Sequence, residues 1–285
     1  MKYGIIDNLH RNHDKVSLKK TFQSIKETGL EFVINKENEY NKDFNFKLLS
    51  KKDLIKYSDV IIVFGGDGSL LETARNATET LKPFLGVNFG KLGFLADVKE
   101  NEVIDCIKMI EAGNYHIEER IMLDASYDNE NICALNDIVI DKGAFQRLLK
   151  ISVDINGKYF TTYTSDGLII STPTGSTAYN MSANGPIVQP GVSAFIITPL
   201  SPHALAMRPV VIPDSSVITL TAESSAGKMI LSGDGQTNMS IDSLKKITVK
   251  KAKTTAKFIK FDDSDFYMLL REKLGWGGFK ERISK

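Results

Sequence analysis

Two cysteines, one tryptophan and no excess of either charge set the first limits on this 285-residue chain. Cys106 and Cys133 stand in apolar stretches without metal-ligand spacing, so no disulfide framework or zinc site is indicated, and buried free thiols in a reducing compartment are expected. Lys and Arg total 36 against 35 Asp and Glu, a formal net charge of +1, which gives no reason to expect nucleic acid or an anionic membrane as a partner. No apolar run approaches the ~20 residues that span a bilayer. Met1-Lys2 leads straight into Tyr3-Gly4-Ile5-Ile6 with no secretory apolar region, so a cytoplasmic location is expected. There is no Gly-x-Ser-x-Gly elbow of a hydrolase. His10, His13 and His116 are scattered, with no spacing that joins them to the cysteines. No internal repeat or low-complexity segment occurs. Apolar residues at 42% and charged residues at 25% are ordinary for a globular protein large enough for one big domain or two smaller ones.

What is present is organised around Asp59-Val60-Ile61-Ile62-Val63-Phe64-Gly65-Gly66-Asp67-Gly68-Ser69-Leu70-Leu71. The β-branched and aromatic run predicts a buried strand ending in two glycines. A helix is expected to follow, with Ser69 as its N-cap and Leu70, Leu71, Ala74 and Ala77 on one face. Strand, glycine turn and helix N-terminus make a phosphate-binding layout, because glycines admit close approach and the first helical N–H groups face outward. Asp67 is unfavourable among phosphate-binding amides unless it handles a metal or a proton. The stretch has neither the lysine of a P-loop nor the Gly-x-Gly-x-x-Gly pattern of a dinucleotide turn. Three roles for Asp67 stay open on these residues: accepting a proton from an attacking hydroxyl, orienting a phosphate-bound Mg²⁺, or capping its own turn.

Along the chain, 3–7 predicts a strand, 16–28 a helix stopped by Gly29, and 30–34 a second strand. The Asn-, Lys- and Glu-rich segment 35–46 predicts an exposed loop, and 50–57 a short helix. Residues 83–88 predict a further strand that runs into the second glycine turn, Phe89-Gly90-Lys91-Leu92-Gly93-Phe94-Leu95, followed by a helix over 101–112. This alternation predicts an α/β domain over 1–115, an open, mostly parallel Rossmann-like sheet with ligands at the carboxyl ends of its strands. Near residue 118 the pattern changes. Residues 151–155 alternate, Asn156-Gly157 is a hairpin signal, and short strands are expected at 158–164, 168–170, 210–212, 217–221, 229–231, 246–249 and 258–261. A mainly antiparallel, all-β domain over 118–261 follows. A helix over 265–274, with Ser264 as its possible N-cap, is expected to return to the first domain within a terminal segment of 262–285. The Gly- and Trp-containing stretch after it and the charged tail are expected to be loosely held. Lysines 245, 246, 250, 251, 253, 257 and 260 predict a solvated strand face.

Two further stretches carry polar side chains suited to a ligand. In Ser165-Asp166-Gly167-Leu168-Ile169-Ile170-Ser171-Thr172-Pro173-Thr174-Gly175-Ser176-Thr177-Ala178-Tyr179, hydroxyls at 172, 174, 176 and 177 suit a ring edge or a ribose. Gly175 and Ala178 leave room, and Tyr179 offers a stacking face; a Ser/Thr-rich hairpin loop is the plain alternative. In Leu135-Asn136-Asp137-Ile138, the amide can match an adenine edge and the carboxylate can accept from ribose hydroxyls, with a helix cap as the alternative. His203 could meet a phosphate, but a satisfied structural histidine is favoured.

Taken in order, Gly65-Gly66-Asp67-Gly68, Gly90-Lys91-Leu92-Gly93-Phe94-Leu95, Asn136-Asp137, Asp166-Gly167, Thr172 to Tyr179, Ile197-Thr198-Pro199-Leu200-Ser201-Pro202-His203 and Asp234-Gly235-Gln236 resemble the bacterial type of NAD kinase (ATP-NAD kinase) over nearly the whole chain. The first motif is shared with phosphofructokinases and diacylglycerol-type lipid kinases; the 172–179 turn with Asn136-Asp137 is more particular. The resemblance implies transfer of the γ-phosphoryl group of ATP, with Mg²⁺ and no fixed protein ligands for it, to the 2′-hydroxyl of the adenosine ribose of NAD. It implies Asp67 as the general base, and Gly65, Gly66 and Gly68 beside the phosphates. Dinucleotide contacts are implied at Asp67, Gly68, Phe94, Asn136, Asp137, Arg147, Thr164, Asp166, Thr174, Thr177, Ala178, Tyr179, Asn180, Met181, Ser182 and Gln236. A homo-oligomer, dimer or tetramer, with sites completed across subunits is implied as well. Asp137 stands where many relatives have glutamate, and Thr164 where a basic residue is common. A lipid kinase sharing the first motif and a dinucleotide sensor without turnover are the alternatives. ATP or polyphosphate as donor, and NAD or NADH as acceptor, stay open.

Overall fold

The computed structural model describes residues 1–7, 15–37, 41–78, 80–90, 93–143, 147–225, 227–262 and 265–276. Lys91 and Leu92 of the second glycine turn, His10, His13, Ser264 and the charged tail lie outside the described residues. The chain divides into two compact units: 1–70, 82–118 and Phe258 onward form the first, and 71–81 with 119–257 the second.

The first unit is built on a parallel sheet. Its order is Lys246–Lys260 (through its last residues), Phe84–Asn88, Val60–Phe64, Lys2–Asp7, Glu31–Asn35 and Lys47–Leu49, with the short strand Val98–Lys99 also on Phe84–Asn88. Every residue of Val60–Phe64 is buried, which is why its sequence is an unbroken apolar run rather than an alternation. Helix Lys15–Glu27 presents Leu18, Phe22 and Ile25 at helical spacing to a core with Tyr3, Ile5, Phe64 and Val87. Helix Lys51–Tyr57 is capped by the Ser50 hydroxyl, which accepts from the Asp53 N–H at 3.2 Å. It lies so close to the first strand that a Cβ on Gly4 would meet Ser58 Oγ at 2.3 Å and Leu54 Cδ2 at 2.5 Å. The C-terminal helix Phe266–Leu274 groups with this unit; Asp265 caps it by accepting from the Tyr267 N–H at 2.8 Å, and Gly275 ends it at φ +68°.

The second unit is antiparallel β. One sheet has the order Val210–Pro213, Ala194–Leu200, Gly167–Ser171, Asp137–Asp141, Lys228–Gly233, Thr237–Asp242. Against it pack Lys158–Ser165, Leu149–Ile155, Ile218–Glu223 and the start of Lys246–Lys260, with His116–Tyr127 and Glu130–Ala134. Ile138, Ile140, Leu168, Ile170, Phe195 and Leu231 fill the shared core with Leu149, Ile151, Val153, Leu220 and Ile247. Val139, Ile169 and Leu200, on the opposite face of the first sheet, form a second small cluster, so its central strands are buried on both sides. The Asn156-Gly157 hairpin is present, with φ of +53° and +76° at its two turn residues.

Several elements differ from the sequence expectation. The 35–46 segment holds a short helix, Asn41–Phe44, and is followed by the strand Lys47–Leu49. The two strands expected at 246–249 and 258–261 are one continuous strand, Lys246–Lys260. Its lysines are exposed at 245, 246, 250, 251 and 253, but Lys260 is buried and paired with Asp97, because the strand's last residues enter the covered parallel sheet. Cys106 is buried and Cys133 half-buried, and neither is in a disulfide.

Lys260 and Asp97 have side chains 5% and 20% exposed. Removing one member of such a pair strands a buried charge. Asp97→Ala is therefore expected to lose about 3–5 kcal/mol in denaturant unfolding, and Lys260→Met in the same background to recover most of it.

Candidate active site

The expected site residues fall into two groups, one in each unit. In the first unit, Gly65 continues the sheet, its N–H donating to Val87 O at 3.0 Å, and its φ of +152° turns the chain out of the strand. The helix starts three residues earlier than expected, at Asp67 and not after Ser69. Gly66 O accepts the first helical bonds, from Ser69 N at 3.0 Å and Leu70 N at 3.4 Å. Asp67 thus sits in the first turn, where the partial positive charge of the helix end favours a carboxylate.

The Asp67 carboxylate is held by the second glycine turn. Oδ2 accepts from Phe94 N at 2.9 Å, and Oδ1 accepts from Leu95 N and Ala96 N, both at 3.1 Å. Gly93 N closes that turn on Ala96 O at 2.9 Å. A Cβ on Gly93 would lie 1.9 Å from Asp67 Oδ1, so only glycine leaves the carboxylate its place. Three convergent N–H donors are the complement of an ionised carboxylate, which only accepts. Asp67 is partly exposed, and Gly66 and Gly68 are exposed. Phe94 acts here through its N–H.

In the second unit, Asn136 and Asp137 open the strand Asp137–Asp141, which removes the helix-cap alternative. The Asp234 carboxylate organises them. Its Oδ1 accepts from Asn136 N at 2.7 Å and Oδ2 from Leu135 N at 3.2 Å, while Asp234 N donates to Asp137 O at 3.0 Å. Arg75 Nη1 pairs with Asp234 Oδ2 at 2.8 Å, and Arg75 also donates to Gln236 Oε1. The Asp137 carboxyl is 3% exposed; burial, and secondarily the charge of Asp234, push its pKa up to about 7.

The 172–179 turn lies directly on this pair. Thr172 N donates to Asn136 O at 2.9 Å, and its hydroxyl donates to Leu135 O at 2.6 Å and accepts from Gly175 N at 3.1 Å. A Cβ on Gly175 would meet Asn136 O at 2.1 Å. The hydroxyls expected to face a ligand are mostly turned inward. Ser176 Oγ donates to Val188 O and accepts from Val188 N, Thr177 donates to Thr174 O, and buried Thr174 accepts from buried Arg120 at 3.3 Å. Asn180 is likewise turned inward: it is fully buried, its amide donating to Ser176 O and Pro186 O and accepting from Thr198 at 2.6 Å, so its side chain braces the turn. Thr177, Ala178 and Met181 are partly exposed, and Tyr179 and Ser182 are exposed.

Asp166 is paired with Lys142, and Thr164 O accepts from His203 N at 2.8 Å. His203 and Arg147 are exposed. Arg75, Arg120, Lys142 and Asp234 were not singled out from the sequence as site residues. Only Asp234 carried a signal, an acid in a Gly-Asp-Gly turn.

The raised pKa of Asp137 has a definite sign in stability. Between about 4 and about 7 the folded protein keeps a proton that the unfolded chain releases, so this group's contribution is fully present below pH 4 and lost as pH rises through 7. Asp137→Asn removes the effect. The Tm of the variant is expected to rise relative to the parent as pH goes from 5 to 8, a relative gain of up to about 3 kcal/mol; equal pH dependence in the two proteins would contradict it.

Residues 9–115 match the family model described as the ATP-NAD kinase N-terminal domain, and 135–261 the ATP-NAD kinase C-terminal domain. An NAD kinase of Heliobacterium modesticaldum is 41% identical over 231 residues, 79% of this chain and 82% of the relative. One from Chlorobium phaeobacteroides is 35% identical over 281 residues, 97% of this chain and 98% of the relative. Among solved structures, a yeast NADH kinase complexed with NADH superposes with a TM-score of 0.89 at 24% identity, covering 100% of this chain and 90% of that one. An Archaeoglobus fulgidus NAD kinase in complex with ATP gives 0.78 at 23%, covering 96% and 99%; both likenesses are of fold. The matches extend through both units, so the lipid-kinase alternative left open by the first glycine motif is not favoured. This chain belongs to the NAD kinase family and is a phosphotransferase with an alcohol group as acceptor.

Proposed function

We propose that this kinase moves the γ-phosphoryl group of ATP to the 2′-hydroxyl of the adenosine ribose of NAD, yielding NADP and ADP, with Asp67 as general base. The observation that carries the reading is the Asp67 carboxylate, fixed at a helix start by three N–H groups in a residue that remains partly exposed. In the proposed step the ribose oxygen forms a bond to the γ-phosphorus as the bond to the ADP oxygen breaks, and the hydroxyl proton passes to a carboxylate oxygen of Asp67. Such a transfer depends on positioning and charge neutralisation more than on covalent chemistry. Gly65, Gly66 and Gly68 border the phosphates, and the N–H groups of the helix start favour their charge. Asn136 and Asp137 take the adenine and ribose groups, and Thr177, Ala178, Tyr179, Met181 and Ser182 line the dinucleotide, with Arg147, Thr164, Asp166 and Gln236 as further contacts.

The divalent cation in this reading, Mg²⁺, rides on the ATP phosphates, where it neutralises charge. Among the described residues no three His, Cys, Asp or Glu side chains gather to cage one. No described helix is long and apolar enough to cross a membrane; the cytoplasmic location rests on the free thiols and the balanced charge. A homo-oligomer, dimer or tetramer, belongs to the same proposal.

Incubation with Mg²⁺, ATP and NAD is expected to yield NADP. Binding of NAD without product would leave a sensor. Asp67→Asn is expected to lose ~10²–10⁴-fold in kcat with NAD affinity kept. Its amide nitrogen would oppose one of the three N–H groups at a cost of about 1–3 kcal/mol, so melting and NAD titration accompany the assay. Near-parental turnover in a folded variant would remove the general-base role. Gly93→Ala tests positioning while leaving every titrating group in place. Displacement of the carboxylate is expected to lower kcat ~10²-fold, and an unchanged kcat would show that the N–H clamp is dispensable.

A further inference from the structure

Arg75 lies eight residues after Asp67 on the same helix, Asp67–Ala77, and forms the most buried cation–carboxylate pair in the second unit. Its side chain is 15% exposed and that of Asp234 is 0% exposed. Asp234 is at φ +53°, between Gly233 and Gly235, a backbone state uncommon for a residue with a Cβ. Its two carboxylate oxygens hold the N–H groups of Leu135 and Asn136, and its own N–H holds the carbonyl of Asp137. The turn therefore brackets Asn136 and Asp137 on both sides.

A carboxylate with no solvent exposure needs a cation or a proton. Arg75 supplies the cation. The other ionisable groups around Asp234 are Asp137 at the start of the neighbouring strand and Cys133 on Glu130–Ala134, with Asp124 opposite Cys133 in the ladder. The Cys133 thiol is pushed up to about 11 by burial and by these acids, so it stays neutral near pH 7. Without Arg75, two buried acids would stand together with no cation beside them.

We propose that Arg75 and Asp234 are positioning residues for the reaction: Arg75 neutralises and anchors Asp234, and Asp234 fixes the backbone that presents Asn136 and Asp137 to the dinucleotide. This rests on the reading of Asn136 and Asp137 as dinucleotide contacts. A purely structural ion pair would lower stability and leave the kinetic constants of the folded enzyme alone. A positioning pair acts on the acceptor and not on the donor, and does so in a pH-dependent way.

The test measures kcat and the KM for NAD and for ATP from pH 6 to 8.5 in the full-length enzyme. Arg75→Met is expected to raise the KM for NAD at least ~10-fold at pH 8.5 and less at pH 6, where protons can replace the guanidinium, with the KM for ATP within about threefold of the parent. Arg75→Lys, which keeps a charge, is expected to recover most of the affinity and to return the pH profile to that of the parent. It also serves as the informative variant if Arg75→Met does not fold. Asp234→Asn is expected to raise the KM for NAD without the pH slope, because one of the two acids is gone. A folded Arg75→Met or Arg75→Lys enzyme with unchanged KM for NAD at every pH, or with NAD and ATP affected alike, overturns the proposal. Asn136→Ala separates the two levels. If it raises the KM for NAD while the Arg75 variants do not, the positioning role alone falls; if it leaves the KM for NAD unchanged, the reading of Asn136 and Asp137 falls and takes the positioning role with it.

Discussion

A carboxylate that must be immobile and still reachable constrains everything around Asp67. Immobility comes from three backbone N–H groups of Phe94, Leu95 and Ala96, contributed by a loop 27 to 29 residues away in sequence. Backbone donors suit the task because, unlike lysine or arginine, they have no rotamers to freeze and leave no long side chain over the site. The arrangement then dictates its glycines. Gly65 must leave the sheet at φ +152°, and Gly93 must lie where any Cβ would overlap Asp67 Oδ1. The two glycine motifs are thus one structure, a carboxylate and its clamp.

The second unit uses the same device under different exposure. Asp234 also takes backbone N–H groups, but its side chain is sealed from water, so hydrogen bonds alone do not offset the loss of solvation and Arg75 completes the set. Asp137, whose backbone N–H lies 3.4 Å from Asp234 Oδ1, is buried beside that charge and holds its proton up to about pH 7. Below about pH 7 the Asp137 carboxyl is therefore mostly protonated. A carboxyl in that state can donate as well as accept, which widens what it can do for a ribose or a base edge.

How much of this could be read in the sequence varies with the range of the interaction. Val60–Phe64, the Asn156-Gly157 hairpin and the C-terminal helix were readable, because an apolar run, a turn dipeptide and a 3.6-residue period are local signals. The Lys246–Lys260 strand was broken in two on paper because its middle is lysine-rich and solvated, although its backbone pairing never stops being strand. Asp67 was identifiable as out of place among amides, but the residues that justify it were not, since an N–H donor has no side-chain signature. Arg75 and Asp234, 159 residues apart, left no periodic trace either. The hydroxyls at 172–177 were the reverse case. Their composition suited a ligand, yet backbone groups in the turn and beside it, at Leu135 and Val188, claim most of them.

That inward use of the polar side chains bears on how such a turn can recognise anything. Thr172, Ser176 and Asn180 saturate carbonyls and N–H groups that would otherwise be buried without partners, and Gly175 lets the turn sit against Asn136 with no side chain between them. What remains at the surface of the turn is small residues and one aromatic ring, Tyr179 at 48% exposure. A surface of this kind is shaped mainly by backbone, so its precision depends on the buried hydrogen bonds beneath it and not on the freedom of exposed side chains. Phosphoryl transfer rewards that choice, because the protein's contribution is to hold a hydroxyl in line with a phosphorus atom, and a misplacement of about 1 Å costs ~10²-fold in rate. In the proposed reaction the buried threonines, serine and asparagine would therefore act by holding the turn in place, and their loss would be felt as a loss of alignment before it was felt as a loss of contact.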